Sequence, residues 1–253
     1  MLRFLTQFGQ RLNVSAQSTM FTSISLSEPR MRTAIKCRSK MTDTMTHKPL
    51  LSELLRPKSI DDLILPDSTI KALKAMLAID RLPNMLFSGM PGLGKTSAAL
   101  ILAENFDTLF LNGSDQRQEK TTLSRITTFA STMSIFCRPK LCLLDEGDYM
   151  PTENQAAIRG IIERFSDTCR FLVTANDPSR LMRAVRSRLY EINFDVKAID
   201  QDKLLASYTQ KLSAKLKQHE IIVSDDWLME RVSLRFPDFR AIASDLDFEL
   251  LKN

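Results

Sequence analysis

Gly89, Gly94, Lys95 and Thr96 complete the pattern G-x-x-x-x-G-K-[ST] within Leu86-Phe87-Ser88-Gly89-Met90-Pro91-Gly92-Leu93-Gly94-Lys95-Thr96. Glycines at this spacing let backbone N–H groups close around phosphate oxygens where a Cβ would collide. A helix beginning at Lys95 turns its N-terminal donors and positive dipole end toward the same anion. Lys95 can then reach the outer phosphates, and the Thr96 hydroxyl can ligate Mg²⁺. Gly89, Pro91, Gly92, Gly94, Lys95, Thr96 and Ser97 are therefore the expected nucleotide-binding loop.

Further along, Leu143-Leu144-Asp145-Glu146 ends an apolar run in two carboxylates. Asp145 could anchor the metal and Glu146 could polarise an attacking water as general base. Thr174-Ala175-Asn176 ends another run in an amide that could hold that water. Arg183, Arg186 and Arg188 precede a later strand, and from there an arginine could reach a neighbouring subunit's nucleotide. Arg240 stands on the first turn of a late helix and could fold back onto phosphates of its own chain. Each of these has a plainer reading: acids capping a strand, a turn asparagine before Asp177-Pro178, and basic residues on a solvated face.

The elements that must carry these groups follow from pattern. Short apolar runs at 84–88, 108–112, 140–145, 170–175 and 190–194 read as five strands. Between them lie helical stretches starting at 97, from about Thr122 to Met133, and from Thr152 to Phe165. Another helix is expected from Asp67 or Ser68 to about Arg81, with Ile70, Leu73 and Leu77 on one face. Alternating strands and helices imply a parallel α/β sheet covered on both faces. After Asp195 the strands stop, and 200–218, 225–235 and 238–251 read as three helices of a small lid. The expected organisation is an extension over 1–46, a nucleotide-binding domain over 47–196 and a helical lid over 197–253.

Composition narrows the function classes. No apolar run approaches the roughly 20 residues that a membrane span needs. Cys37, Cys137, Cys142 and Cys169 show no C-x-x-C pair, and with only His47 and His219 beside them a zinc site is not expected. The formal charge is +5, but residues 1–42 hold seven of the 35 basic and one of the 30 acidic residues. The remainder is near neutral, so net charge offers no argument for nucleic-acid binding. The 1–46 stretch is rich in Ser, Thr, Arg and Met. It reads as a transit peptide, a flexible basic tail, or an upstream extension with Met41 or Met45 as the working start.

Taken in order, these residues resemble the AAA+ clamp-loader family: the small subunits of replication factor C and the large subunit of the T-even-type phage clamp loader. The resemblance runs from about Leu50 to Leu251. It rests on the entry box Leu55-Arg56-Pro57-Lys58-Ser59-Ile60-Asp61-Asp62, the phosphate loop, and Leu111-Asn112-Gly113-Ser114-Asp115. Asp145-Glu146-Gly147-Asp148, Thr174-Ala175-Asn176-Asp177, Ser187-Arg188-Leu189 and Pro237-Asp238-Phe239-Arg240 complete it.

The resemblance implies ATP and Mg²⁺ as cofactors and a P-loop AAA+ sheet with a helical lid. Lys95 and Thr96 would bind phosphate and metal, Asp145 the metal, and Glu146 would activate water. Asn176 would be the first sensor, Arg240 the second, and Arg188 a finger acting on a neighbour. Backbone near Ile64 and Leu65 would line the adenine pocket. The implied activity is ATP-dependent loading of a ring-shaped sliding clamp on primer–template DNA. The implied partners are other loader subunits in a pentamer, the clamp and DNA, with no membrane. Lys120, Arg125, Arg159 and Arg164 lie on helices that can face the DNA channel or simply solvent.

The chain departs from the family at Leu189, in place of Cys, and at Gly147, which is expected to loosen the turn after Glu146. Family subunits also continue into a collar domain, expected to be absent here because the chain reaches only Asn253. Other readings are a helicase loader or branch-migration motor, or a truncated nucleotide-binding subunit without turnover. The expected location is the cytoplasm of a bacterial or phage-infected cell, or a mitochondrion if 1–46 is a transit peptide.

Overall fold

The computed structural model describes residues 50–78, 82–115, 119–134 and 138–251. The readings made for 1–46, for the helix end near Arg81 and for Cys137 lie outside them. The described residues belong to one compact unit.

The sheet is built from β1 (Met85–Ser88), β2 (Asp107–Asn112), β3 (Lys140–Asp145), β4 (Cys169–Ala175) and β5 (Tyr190–Asn193). All neighbours pair in parallel, in the order β2-β3-β4-β1-β5. The expected five parallel strands are present with ends shifted by a residue or so. Asn84, counted in the first strand, instead fastens its start. Its side-chain oxygen accepts from Phe171 N at 3.0 Å, and its carbonyl accepts from Tyr190 N at 2.8 Å.

Strand residues alternate between two apolar layers, as the pleat requires. Met85, Phe87, Leu141, Leu143, Leu172 and Ile192 face one layer, with Ala98, Ala99 and Leu102 of α3 (Lys95–Ala103) and Leu73 of α2 (Asp67–Leu77). Leu86, Cys142, Leu144, Phe171 and Val173 face the other. There they meet Ile126 of α4 (Glu119–Ser131) and Ile158 and Ile162 of α5 (Thr152–Arg164). A sheet buried on both faces explains why its strands read as continuous apolar runs.

A third core belongs to the lid: α7 (Ala198–Gln218), α8 (Asp225–Arg235) and α9 (Phe239–Leu251) pack through Leu212, Leu216, Leu228, Val232, Ile242 and Leu246. The short α1 (Leu51–Leu54) joins this core through Leu51, whose N–H donates to Asp247 Oδ1 at 2.9 Å. The entry segment thus packs on the lid, although in sequence it precedes the whole sheet. The remaining helix, α6 (Arg183–Arg186), is a single turn ahead of β5.

Lys140, at the start of β3, is buried. Its ammonium donates to Phe129 O at 2.6 Å, Thr132 Oγ1 at 2.8 Å and Thr132 O, closing the C-terminal end of α4. Lys140→Met should lower the unfolding free energy by about 2 kcal/mol in denaturant titration, because helix-end carbonyls lose charged donors inside the core. An unchanged midpoint would show that water replaces the ammonium at no cost.

Candidate nucleotide site

The phosphate loop joins β1 to α3 in the conformations its glycines permit. Gly89, Gly92 and Gly94 have φ of 136°, 82° and 84°. Gly94 caps α3 in the left-handed region, and no acid stands in the first turn of that helix. Its positive end is therefore left for an external anion.

Lys95 is buried and points back along the loop, donating to Gly89 O and Met90 O at 2.7 Å each. Burial pulls its pKa down; the charges of Asp148, Asp195 and Asp145 oppose this, and Arg240 adds to it.

Asp145 ends β3, buried, and its Oδ1 accepts two hydroxyls at 2.7 Å, from Thr96 and from Thr174 on β4. Thr96 and Asp145 thus converge as the sequence predicts. An all-oxygen donor pair of this kind suits a hard cation that takes its other ligands from phosphate and water. The fit to Mg²⁺ is with these two groups.

Glu146 follows with φ 54° and ψ 45°, a left-handed conformation that a non-glycine residue adopts at a cost. Its N–H donates to Thr174 Oγ1 at 2.9 Å, which holds it there. Gly147 does not loosen this turn as expected. A Cβ at Gly147 would come within 2.5 Å of Val173 Cγ1, so the glycine lets the turn lie tightly on β4.

One cavity of about 1330 Å³ is lined by Pro91, Gly92, Gly94, Lys95, Thr96, Ser97, Asp145, Glu146, Asn176 and Arg240. Leu63 and Ile64 line it too, together with Tyr208 and Phe239, whose ring centroids lie 4.7 Å apart with the planes tilted by 50°. Leu65 does not, correcting the expectation: it packs into the sheet core beside Leu63 and Leu73. Gly89 lies behind the cavity as an acceptor for Lys95.

The lid rests on the loop. Asp238 caps α9, its Oδ1 accepting from Arg240 N and Ala241 N at 3.0 Å. A Cβ at Gly92 would overlap that carboxylate. Asp195, where β5 leaves for the lid, accepts the Met90 N–H at 2.7 Å.

Arg188 stands outside the cavity. Its guanidinium is held by Glu163 Oε1, with Nε at 2.8 Å, and by the Ala184 carbonyl. The same bond lowers the Glu163 pKa. Arg186 pairs with Glu191 at 2.7 Å. Arg125, Arg159 and Arg164 are exposed on α4 and α5, and the Lys120 side chain lies outside the described residues.

Three buried polar residues carried no role in the sequence reading. Thr174 links Asp145 to Glu146. Asp148 is buried, and its Oδ2 accepts the N–H groups of Asn176 and Asp177 at 3.2 and 3.1 Å, fixing the turn after β4. Gln155 on α5 is buried, with Met182 N donating to its Oε1 at 2.7 Å and its amide donating to Met150 O at 2.9 Å. Asp148 sat in a quoted motif and Thr174 beside Asn176; nothing in spacing marks Gln155.

Residues 85–196 match the family described as ATPase family associated with various cellular activities (AAA). The match takes in the phosphate loop and all five strands. It is 36% identical over 177 residues to the replication factor C small subunit of Methanococcus vannielii, a match covering 66% of this chain and 56% of that one. The small subunit of Archaeoglobus fulgidus is 31% identical over 196 residues, covering 74% and 60%. The chain thus spans about half the length of the curated relatives it matches. In fold it is similar to a solved variant of Thermotoga maritima RuvB, with a TM-score of 0.60 and 22% identity over 77% of this chain and 64% of that one. Among the described residues, no helix is long and apolar enough to cross a membrane.

Gly92→Val should abolish nucleotide binding measured by calorimetry, because the side chain would displace Asp238 and take up left-handed backbone. Binding at wild-type affinity would mean that loop and lid separate freely.

Proposed function

We propose that this chain is an ATP-hydrolysing clamp-loader subunit acting in DNA replication. The observation that carries the reading is the convergence of Lys95, Thr96, Asp145, Glu146, Asn176 and Arg240 on one cavity, in a relative of replication factor C small subunits. Residues 47–196 are taken as the nucleotide-binding domain and 197–253 as its lid.

In this reading Lys95 exchanges its loop carbonyls for the outer phosphate oxygens. Thr96 and Asp145 would hold Mg²⁺, which when bound would supply neutralisation of phosphate charge. Glu146 accepts the proton of the attacking water, and Asn176 orients that water through its amide. Arg240 brings the first turn of α9 onto the phosphates, so lid position follows nucleotide state. Arg188 serves the nucleotide of a neighbouring subunit, with Glu163 holding it meanwhile. Partners of matching chemistry are further loader subunits, a sliding clamp and primer–template DNA, contacted from the α4 and α5 face.

Primer–template DNA and a sliding clamp together should stimulate hydrolysis, read by phosphate release; stimulation by a helicase instead would sink the proposal. Glu146→Gln should keep ATP affinity and lose about 100-fold or more in turnover. Equal turnover would point to a nucleotide-holding subunit.

Arg188→Ala and Lys95→Ala should each lower hydrolysis alone, and mixing the two should restore part of it. No restoration at any ratio would remove the role in trans.

A further inference from the structure

The strap over 58–65 enters the cavity between the α1 turn and α2, and two side chains fix its backbone. Asp62 Oδ2 accepts the N–H groups of Lys58 and Ser59 at 3.0 Å each. Burial pushes the Asp62 pKa up, but these bonds and the charge of Lys215 leave it lowered. The other tie comes from the lid: Lys211 of α7 donates to Asp61 O at 2.5 Å and Leu63 O at 3.3 Å. The Asp61 carboxylate is itself engaged by Lys74 at 2.5 Å, so Lys211 grips backbone alone.

The second carbonyl matters most. In a planar trans peptide, the C=O of Leu63 and the N–H of Ile64 share one plane and point in opposite directions. Holding the Leu63 oxygen therefore sets the direction of the Ile64 N–H. Ile64 is buried, lines the cavity, and has no hydrogen-bond partner for that N–H among the described residues. An unpaired buried donor is costly unless a ligand accepts from it. The Watson–Crick edge of adenine offers an acceptor at N1, whereas guanine carries a proton there. A fixed donor thus favours one purine over the other.

We infer that Lys211 is a specificity-determining positioning residue: by holding the Leu63 carbonyl it sets the Ile64 N–H and with it the preference for adenine over guanine nucleotides. The inference rests on the cavity binding a purine nucleoside triphosphate. It adds a lid residue, itself on the cavity wall, that acts through the strap. Because α7 belongs to the lid, base recognition and lid position become one property.

The test is calorimetric binding of ATP and of GTP to wild type, Lys211→Met and Lys203→Met. Lys203 ties the same helix to Asp67 at 2.6 Å, away from the strap carbonyls, and so controls for loosened lid docking. The wild type should prefer ATP. Lys211→Met should lose about tenfold of that preference, the scale of one charged hydrogen bond, while Lys203→Met keeps the wild-type ratio. If Lys211→Met does not fold, Lys211→Gln, whose shorter amide cannot span both carbonyls, is measured the same way. An unchanged ratio in the Lys211 variant, or equal loss in both variants, overturns the inference and leaves ATP binding standing. A wild type that binds both purines equally does the same. A wild type that binds neither removes the nucleotide reading as well.

Discussion

The site depends on one buried oxygen, Asp145 Oδ1, and the two hydroxyls that donate to it. A carboxylate at the buried end of a strand must be solvated by the protein. Thr96 from α3 and Thr174 from β4 do this at 2.7 Å each. The same Thr174 oxygen accepts the Glu146 N–H and supports a backbone conformation that glutamate otherwise avoids. Strand β4 lies between β1 and β3, so this single junction links the phosphate loop, the Asp145 carboxylate and the Glu146 backbone. Parallel pairing is what brings these three strand ends to one edge of the sheet.

A second constraint acts between sheet and lid. The phosphate loop is gripped by acids of its own chain, Asp195 at Met90 and Asp238 against Gly92. The lid core in turn takes in Leu51 from the entry segment, and Lys211 reaches the strap. Loop, strap and lid are therefore joined by direct contacts.

Much of this was legible beforehand because the phosphate loop demands particular residues at fixed spacing, and because a sheet buried on both faces has to read as apolar runs. Gly94, Lys95 and Thr96 could be placed without coordinates, since backbone conformation and side-chain reach are local properties there. Asn176 and Arg240 were legible only by order along the chain. Leu65 and Gly147 were misread for one reason: which way an extended residue faces, and how close a turn lies to the next strand, are settled by packing. Leu65 turned to the core, and Gly147 found Val173 beside it.

The sequence by itself determined the parallel α/β sheet, the C-terminal helices and the glycine-rich turn into α3, because these follow from hydrophobic period and from residue types at short range. Only the tertiary structure decided what serves the site from a distance. Thr174 under Asp145, Asp148 under the Asn176 turn, Glu163 on Arg188 and Lys211 on the strap are hydrogen bonds between residues far apart in the chain. Such bonds leave no period or spacing in the sequence, since each needs one donor and one acceptor brought within 3 Å or so by the whole fold.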